Sequence, residues 1–310
     1  MRKDPRIAGI GVRIALVLLI VCGTVYRTEA TGKSPEPSRL FTIPKGEVLN
    51  AFAVNLCAGR GFGVEGGGSF WGASAGLGGV GEIEISTTKT VNRLTEEANI
   101  FPISAFKVQL CSEKSRRPSL SIALRVSDWN EWSAMRSMFS ESALDFTVGG
   151  KSLESVDFNS RFTILYGVAS KSVGLWRLHG GLTLTDVRTR DGYASTTDAQ
   201  WKSLKDLKKN LVSAFAGIEY QKNAHTKIVA DVQSVPEYNL DQDTEELAVS
   251  RLWLGVAGIR FFLTSWLAID GGVSYQSNYS GIGDAEITLG TNVTFDVAQK
   301  LSKMANDRKR

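Results

Sequence analysis

Two glycine clusters carry the spacing of a nucleotide-binding turn: Gly61-Phe62-Gly63-Val64-Glu65-Gly66 and Gly76-Leu77-Gly78-Gly79-Val80-Gly81. That chemistry needs a helix N-terminus directly after the glycines, where unpaired backbone N–H groups receive the pyrophosphate. More glycines follow the first cluster, and Glu82-Ile83-Glu84-Ile85, an alternating strand pattern, follows the second. Both read as mobile loop or tight turn, and no cofactor is expected. Histidine is scarce: His179 and His225 are the two in the chain. With so few imidazoles and, after residue 30, two widely separated cysteines, Cys57 and Cys111, no metal-ligand spacing exists, and no catalytic residue is assigned. Export would permit a disulfide, but the strand map puts the two thiols at opposite ends of the fold and predicts that both stay free.

The constellation that remains is electrostatic. Lys107, Arg125, Arg177, His179, Glu219, Lys227, Asp231, Arg260, Asp270 and Glu286 all fall on the wet side of segments whose opposite side is apolar. Glu82, Glu84 and Asp296 join them. Unpaired charge held away from bulk water costs several kcal/mol, so mixed signs facing a narrow interior predict pairing across it. The expectation is a plugged or very narrow lumen that admits a small solute at most.

What must position these side chains is a set of strands. Val212, Ala214, Ala216, Ile218 and Tyr220 oppose Ser213, Gly217 and Glu219; Leu267, Ile269, Gly271, Val273 and Tyr275 oppose Asp270, Ser274 and Gln276. The closing segment repeats the pattern, with Ile287, Leu289, Thr291, Val293 and Phe295 on the apolar side. Side chains alternate across a strand, so each segment gives one greasy and one wet face. Twelve strands are predicted, over 47–57, 69–76, 80–88, 104–112, 118–128, 160–170, 174–187, 210–221, 226–235, 247–260, 265–277 and 284–297. Short and long connections alternate along this map, and a layered sandwich has no reason to keep its long loops on every other link. The long stretches 129–159 and 188–209, with Trp132, Met135, Met138, Phe139 and Trp201, are expected to fold inward, bind a partner or cover the rim. Trp176, Tyr220, Phe261, Phe295, Tyr275 and Trp129 fall near the two rims, where amphipathic rings keep one end wet; Trp266 falls inside by parity.

Residues 1–30 read as a secretory signal: Arg2, Lys3, Arg6 and Arg13 precede an apolar run from Ile14 to Val21, and Thr28-Glu29-Ala30 offers small residues for cleavage. A lipoprotein anchor at Cys22 is the alternative. Removing the five basic and two acidic residues of 1–30 from totals of 36 and 32 leaves a net charge of +1. The formal +4 is therefore a property of the signal and of the tail, where Lys300, Lys303, Arg308, Lys309 and Arg310 cluster. No basic stripe with interleaved aromatics argues for nucleic acid. The domain reading is signal peptide 1–30, a periplasmic segment 31–46, a β-barrel 47–297 and a basic tail 298–310.

Ile43-Pro44-Lys45-Gly46 ahead of the first strand, and a last strand ending in outward Phe295 after Leu289 and Val293, resemble bacterial outer-membrane β-barrel proteins. The resemblance is at the level of the superfamily and spans 41–297. It implies a closed antiparallel up-and-down transmembrane barrel in the outer membrane, with the lipid bilayer and the barrel-assembly machinery as partners. Such barrels commonly stop at the terminal aromatic, whereas this chain continues from Asp296 to Arg310. The expected role is structural, interactive or narrow small-solute transport without catalysis. Two alternatives stand beside it: a lipid-modifying outer-membrane enzyme, and a soluble secreted β-sandwich that binds a partner.

Overall fold

Alternation along the strands produces one continuous antiparallel sheet that closes on itself. The computed structural model describes residues 36–63, 68–92, 99–135, 147–148, 151–196, 201–241 and 246–297; residues 1–35, Met138, Phe139 and residues 298–310 lie outside these. The strands are β1 (Ala53–Phe62), β2 (Ser69–Leu77), β3 (Gly81–Asn92), β4 (Asn99–Cys111), β5 (Ser119–Ser127), β6 (Asn130–Met135), β7 (Thr147–Val148), β8 (Lys151–Val173), β9 (Trp176–Thr196), β10 (Trp201–Leu204), β11 (Lys208–Asn223), β12 (Thr226–Asp241), β13 (Glu246–Phe262), β14 (Leu267–Gln276) and β15 (Glu286–Asp296). Each pairs with its neighbours in the order β1-β2-β3-β4-β5-β8-β9-β11-β12-β13-β14-β15, and β15 returns to β1 with Ala53 opposite Asp296 and Phe62 opposite Ile287. The ring has twelve strands. β6 prolongs the line of β5 along β8, and β10 that of β11 along β9.

The closed ring excludes the sandwich alternative, and among the described residues no second layer lies against the apolar face. That face is open: Leu182 is 63% exposed, and Leu56, Ile85, Phe106, Val212, Ile259 and Leu289 are exposed with it. Aromatic rings gather at the end where the short turns lie. Trp176 packs on Tyr220 with ring centroids 4.5 Å apart, and Trp266 stacks on Phe295 at 6.0 Å. Trp266 thus joins the rim, contrary to the parity reading, because it sits in the 263–266 turn where strand alternation no longer holds. At that same end Gly78, Gly79 and Gly174 adopt positive φ, which lets the β2–β3 and β8–β9 turns reverse in a few residues.

Three expectations are corrected here. The first strand was placed at 47–57 but begins at Ala53. Strands at the opposite end run further than predicted: β8 starts at Lys151, β9 continues to Thr196, and β12 and β13 pair out to Asp241 and Glu246. Much of the expected loop sequence is therefore hairpin. Residues 36–46, assigned to the periplasm, instead lie inside the ring.

Candidate functional site

Ser38 to Lys45 fold into a small hairpin within the lumen. Lys45 N donates to Ser38 O at 2.8 Å, Leu40 N donates to Ile43 O at 2.9 Å, and Arg39 bridges Pro44. The tip is apolar, with Leu40 and Ile43 buried and Phe41 packed against Leu254 and Val256. Leu40 and Ile43 lie against Ala123, Tyr166, Val168, Phe215 and Val229 of the wall. Burying such side chains contributes roughly 1.5–3 kcal/mol each. Gly217 of β11 makes the fit possible: a Cβ there would stand 2.4 Å from Leu40 Cδ1 and 2.7 Å from Ile43 Cδ1. Phe52, with φ of 60°, marks the turn by which the chain leaves the lumen and enters β1.

Charged wall residues grip the hairpin backbone. Asp231 accepts from Phe41 N at 2.9 Å, from Thr42 N at 3.1 Å and from the Thr42 hydroxyl. Arg260 forms a two-pronged pair with Asp270, both contacts at 2.8 Å, and donates to Leu40 O at 3.2 Å. Arg39 pairs with Glu84 at 2.7 Å, and Arg125 reaches the same carboxylate at 3.2 Å. Lys45 pairs with Glu219, while Lys227 holds Glu36 at 2.6 Å and Glu219 at 3.4 Å. Lower down, Lys107 pairs with Glu82 at 3.2 Å and donates to Glu47 O at 2.8 Å, and Arg177 meets Glu47 at 2.6 Å. Glu286 accepts from Ser274 Oγ and from Tyr279 Oη, both at 3.2 Å.

All ten polar residues singled out from the sequence therefore sit on the inner side of the ring, half-buried at Arg177 and buried elsewhere. Their partners differ from expectation. Pairing runs between neighbouring or next-but-one strands, onto the N-terminal segment from Glu36 to Glu47, and from Arg177 to Glu113, not straight across an open lumen. Cys57 and Cys111 are both free. Among the described residues no group of three His, Cys, Asp or Glu side chains gathers as a metal site.

His179 has a hydroxyl partner, the feature that would distinguish a lipid-modifying enzyme. Its Nδ1 lies 2.6 Å from Ser170 Oγ, which also accepts from Gly46 N at 2.7 Å. Both side chains are buried beneath the segment after the hairpin, on the wall facing away from lipid. The run Gly72-Ala73-Ser74-Ala75-Gly76 matches the pattern of a nucleophile elbow, contrary to the expectation that the chain holds none. It lies within β2, without the strand-to-helix turn that exposes such a serine.

The other end of the lumen is bridged. β3 leaves its place in the wall and pairs in parallel with β12, Val91 opposite Glu237 and Asn92 opposite Tyr238. These strands stand six places apart in either direction around the ring, so the pairing spans the mouth. Trp132, Phe158 and Phe162 pack around Tyr238 with centroids 5.1–5.9 Å away. Of the three expectations for the 129–159 stretch, Trp132 takes the inward one, as part of a wall cluster under this bridge. Between bridge and hairpin tip lies a chamber of about 210 Å³.

No family model matches this chain, and no curated protein matches it. Among solved structures, it is similar to the translocator domain of the autotransporter NalP from Neisseria meningitidis: TM-score 0.48, 11% identity, covering 79% of this chain and 87% of that one. It is also similar to the porin NanC (TM-score 0.42, 7% identity, 79% and 100% covered) and to the toluene transporter TodX of P. putida (TM-score 0.38, 10% identity, 79% and 89% covered). The resemblance to bacterial outer-membrane barrels is one of architecture.

Proposed function

We propose that this chain is an outer-membrane barrel of a Gram-negative bacterium that admits a small solute through a lumen stoppered by its own N-terminal hairpin. The signal-like segment 1–30 would export it, the assembly machinery would insert it, and lipid would cover the exposed apolar belt. A closed ring satisfies every backbone group internally, and an outward apolar face on such a ring suits hydrocarbon. Eight strands leave room only for wall side chains, while sixteen or more leave an aqueous channel. Twelve fall between, so the interior needs a filler.

The observation that carries the reading is how that filler is attached. Residues 38–45 bond mainly to their own hairpin and to wall side chains, and join no strand of the sheet. Such a segment can leave without breaking the ring. The test is conductance in planar bilayers for the full chain and for an Asp231→Ala, Arg39→Ala variant. Rare openings in the first and frequent openings in the second support the reading; silence in both, with the protein inserted, overturns it. The Ser170–His179 contact favours a second reading, a lipid hydrolase or acyltransferase exposed when the hairpin withdraws. Release of fatty acid from phospholipid vesicles that disappears in Ser170→Ala would support it.

A further inference from the structure

We propose that the chamber between hairpin tip and mouth is a binding site for one small uncharged molecule, about the size of a single aromatic ring and bearing one hydrogen-bonding substituent. The inference rests on the gated-passage reading, in that it names the class of solute such a passage would take. Size is the first argument. A dry engineered cavity of about 150 Å³ holds benzene, and 210 Å³ leaves room for that ring plus a substituent.

The second argument is the make-up of the walls. Phe162, Tyr166, Phe215, Leu254 and Val256 come from β8, β11 and β13, and Phe41 adds the hairpin tip as floor. Thr288 comes from β15, which stands opposite β8 in the ring, and Gln233 from β12. A ligand there meets large apolar side chains with a few polar groups set among them, as in sites that fix orientation with a few placed polar atoms.

Charge is the third. The ionised groups at the chamber balance, Arg39, Arg125 and Arg260 against Glu84, Asp270 and Glu286. A charged ligand would lose its hydration and find no net counter-charge in return, which is costly. The side chains of Thr288 and Gln233, by contrast, have no hydrogen-bond partner among the described residues and are free to meet a hydroxyl.

The probe is 4-fluorophenol, followed by its fluorine NMR shift on titration into the full chain in detergent, with protein-free micelles as reference. Saturable binding at one site per chain is expected. It should weaken about fivefold to tenfold in Thr288→Val, the worth of one hydrogen bond, and disappear in Val256→Trp, which fills the chamber. Heat-modifiable gel mobility establishes that each variant is folded. Shifts that match empty micelles, or that survive in folded Val256→Trp and Thr288→Val alike, overturn the site. Equal affinity for 4-fluorobenzoate overturns the uncharged class. Binding without conductance sinks the passage reading and keeps the site; conductance without binding does the reverse.

Discussion

Asp231→Ala should loosen the stopper without opening the ring. The carboxylate accepts from two backbone amides of the hairpin tip, Phe41 N at 2.9 Å and Thr42 N at 3.1 Å, and from the Thr42 hydroxyl. Hydrogen bonds to a charged acceptor contribute about 1.5–3 kcal/mol each, and a buried donor left unpaired loses its desolvation cost as well. Alanine leaves both amides facing an apolar pocket, so the docked hairpin should lose about 3 kcal/mol, the low end for two such bonds. At 1.4 kcal/mol per tenfold, the undocked population rises on the order of a hundredfold. Leu40 and Ile43 still bury their side chains, so the docked form remains the majority. Limited trypsin digestion of the folded barrel reads this directly, with mass spectrometry scoring cuts after Arg39 and Lys45, which track the open population when reclosing is fast. Asp231→Asn, which keeps one acceptor oxygen, should fall between. Cleavage of Asp231→Ala within twofold of the parent, at unchanged heat-modifiable mobility, would refute the idea that these bonds hold the hairpin.

Three further outcomes follow from the same contacts. Acid should release the hairpin: burial works to raise the Glu36 pKa, but Lys45 and Lys227 outweigh it and leave the carboxyl below its ordinary value of 4.5. Its contribution is thus complete above about pH 4.5 and is lost as pH falls through the lowered value, so conductance should rise below that point. Arg260→Leu strands Asp270 in the wall and should destabilise the barrel by about 3–5 kcal/mol in urea unfolding. Gly76→Ala places a methyl 2.0 Å from Asn50 O and 2.6 Å from Leu49 O, backbone atoms that cannot turn aside. It should displace the segment leading out of the lumen and raise trypsin cleavage at Lys45 by about fivefold or more, the effect of about 1–3 kcal/mol of overpacking.

The outward faces were legible because alternation is a local property. Phe106, Leu124, Leu182, Val212 and Ile287 could be assigned to one side without knowing the strand partners, and the inner positions of Asp231, Arg260 and Asp270 followed by parity. The hairpin was not legible, since Ser38 to Gly46 has no alternation and was taken for a solvated lead-in. Its signal lay in Leu40, Phe41 and Ile43, three large apolar residues in a segment assigned to water, and in Gly217, a gap in the inner face with nothing nearby in sequence to fill it. The apolar half of the lumen was also missed. Phe215 and Tyr166 sit at inward positions where a water-filled barrel would carry polar groups, and only the chamber and the hairpin tip explain them. The extended hairpins at 151–160 and 188–196 escaped because strands beyond the apolar belt need no greasy face. Pairing across the mouth between β3 and β12 joins residues roughly 150 apart in sequence, a contact that no local pattern announces.

Everything depends on the exposed belt being wetted by lipid while the hairpin is shielded from it. With Cys57 and Cys111 replaced by serine, single nitroxides at Leu182→Cys and Phe41→Cys in reconstituted liposomes test both halves at once by power-saturation EPR. The account predicts that oxygen relaxes the label at 182 strongly and a water-soluble nickel chelate hardly at all, while oxygen relaxes the label at 41, inside the lumen, far less than the label at 182. Ready collision of the nickel chelate with the label at 182 would contradict it.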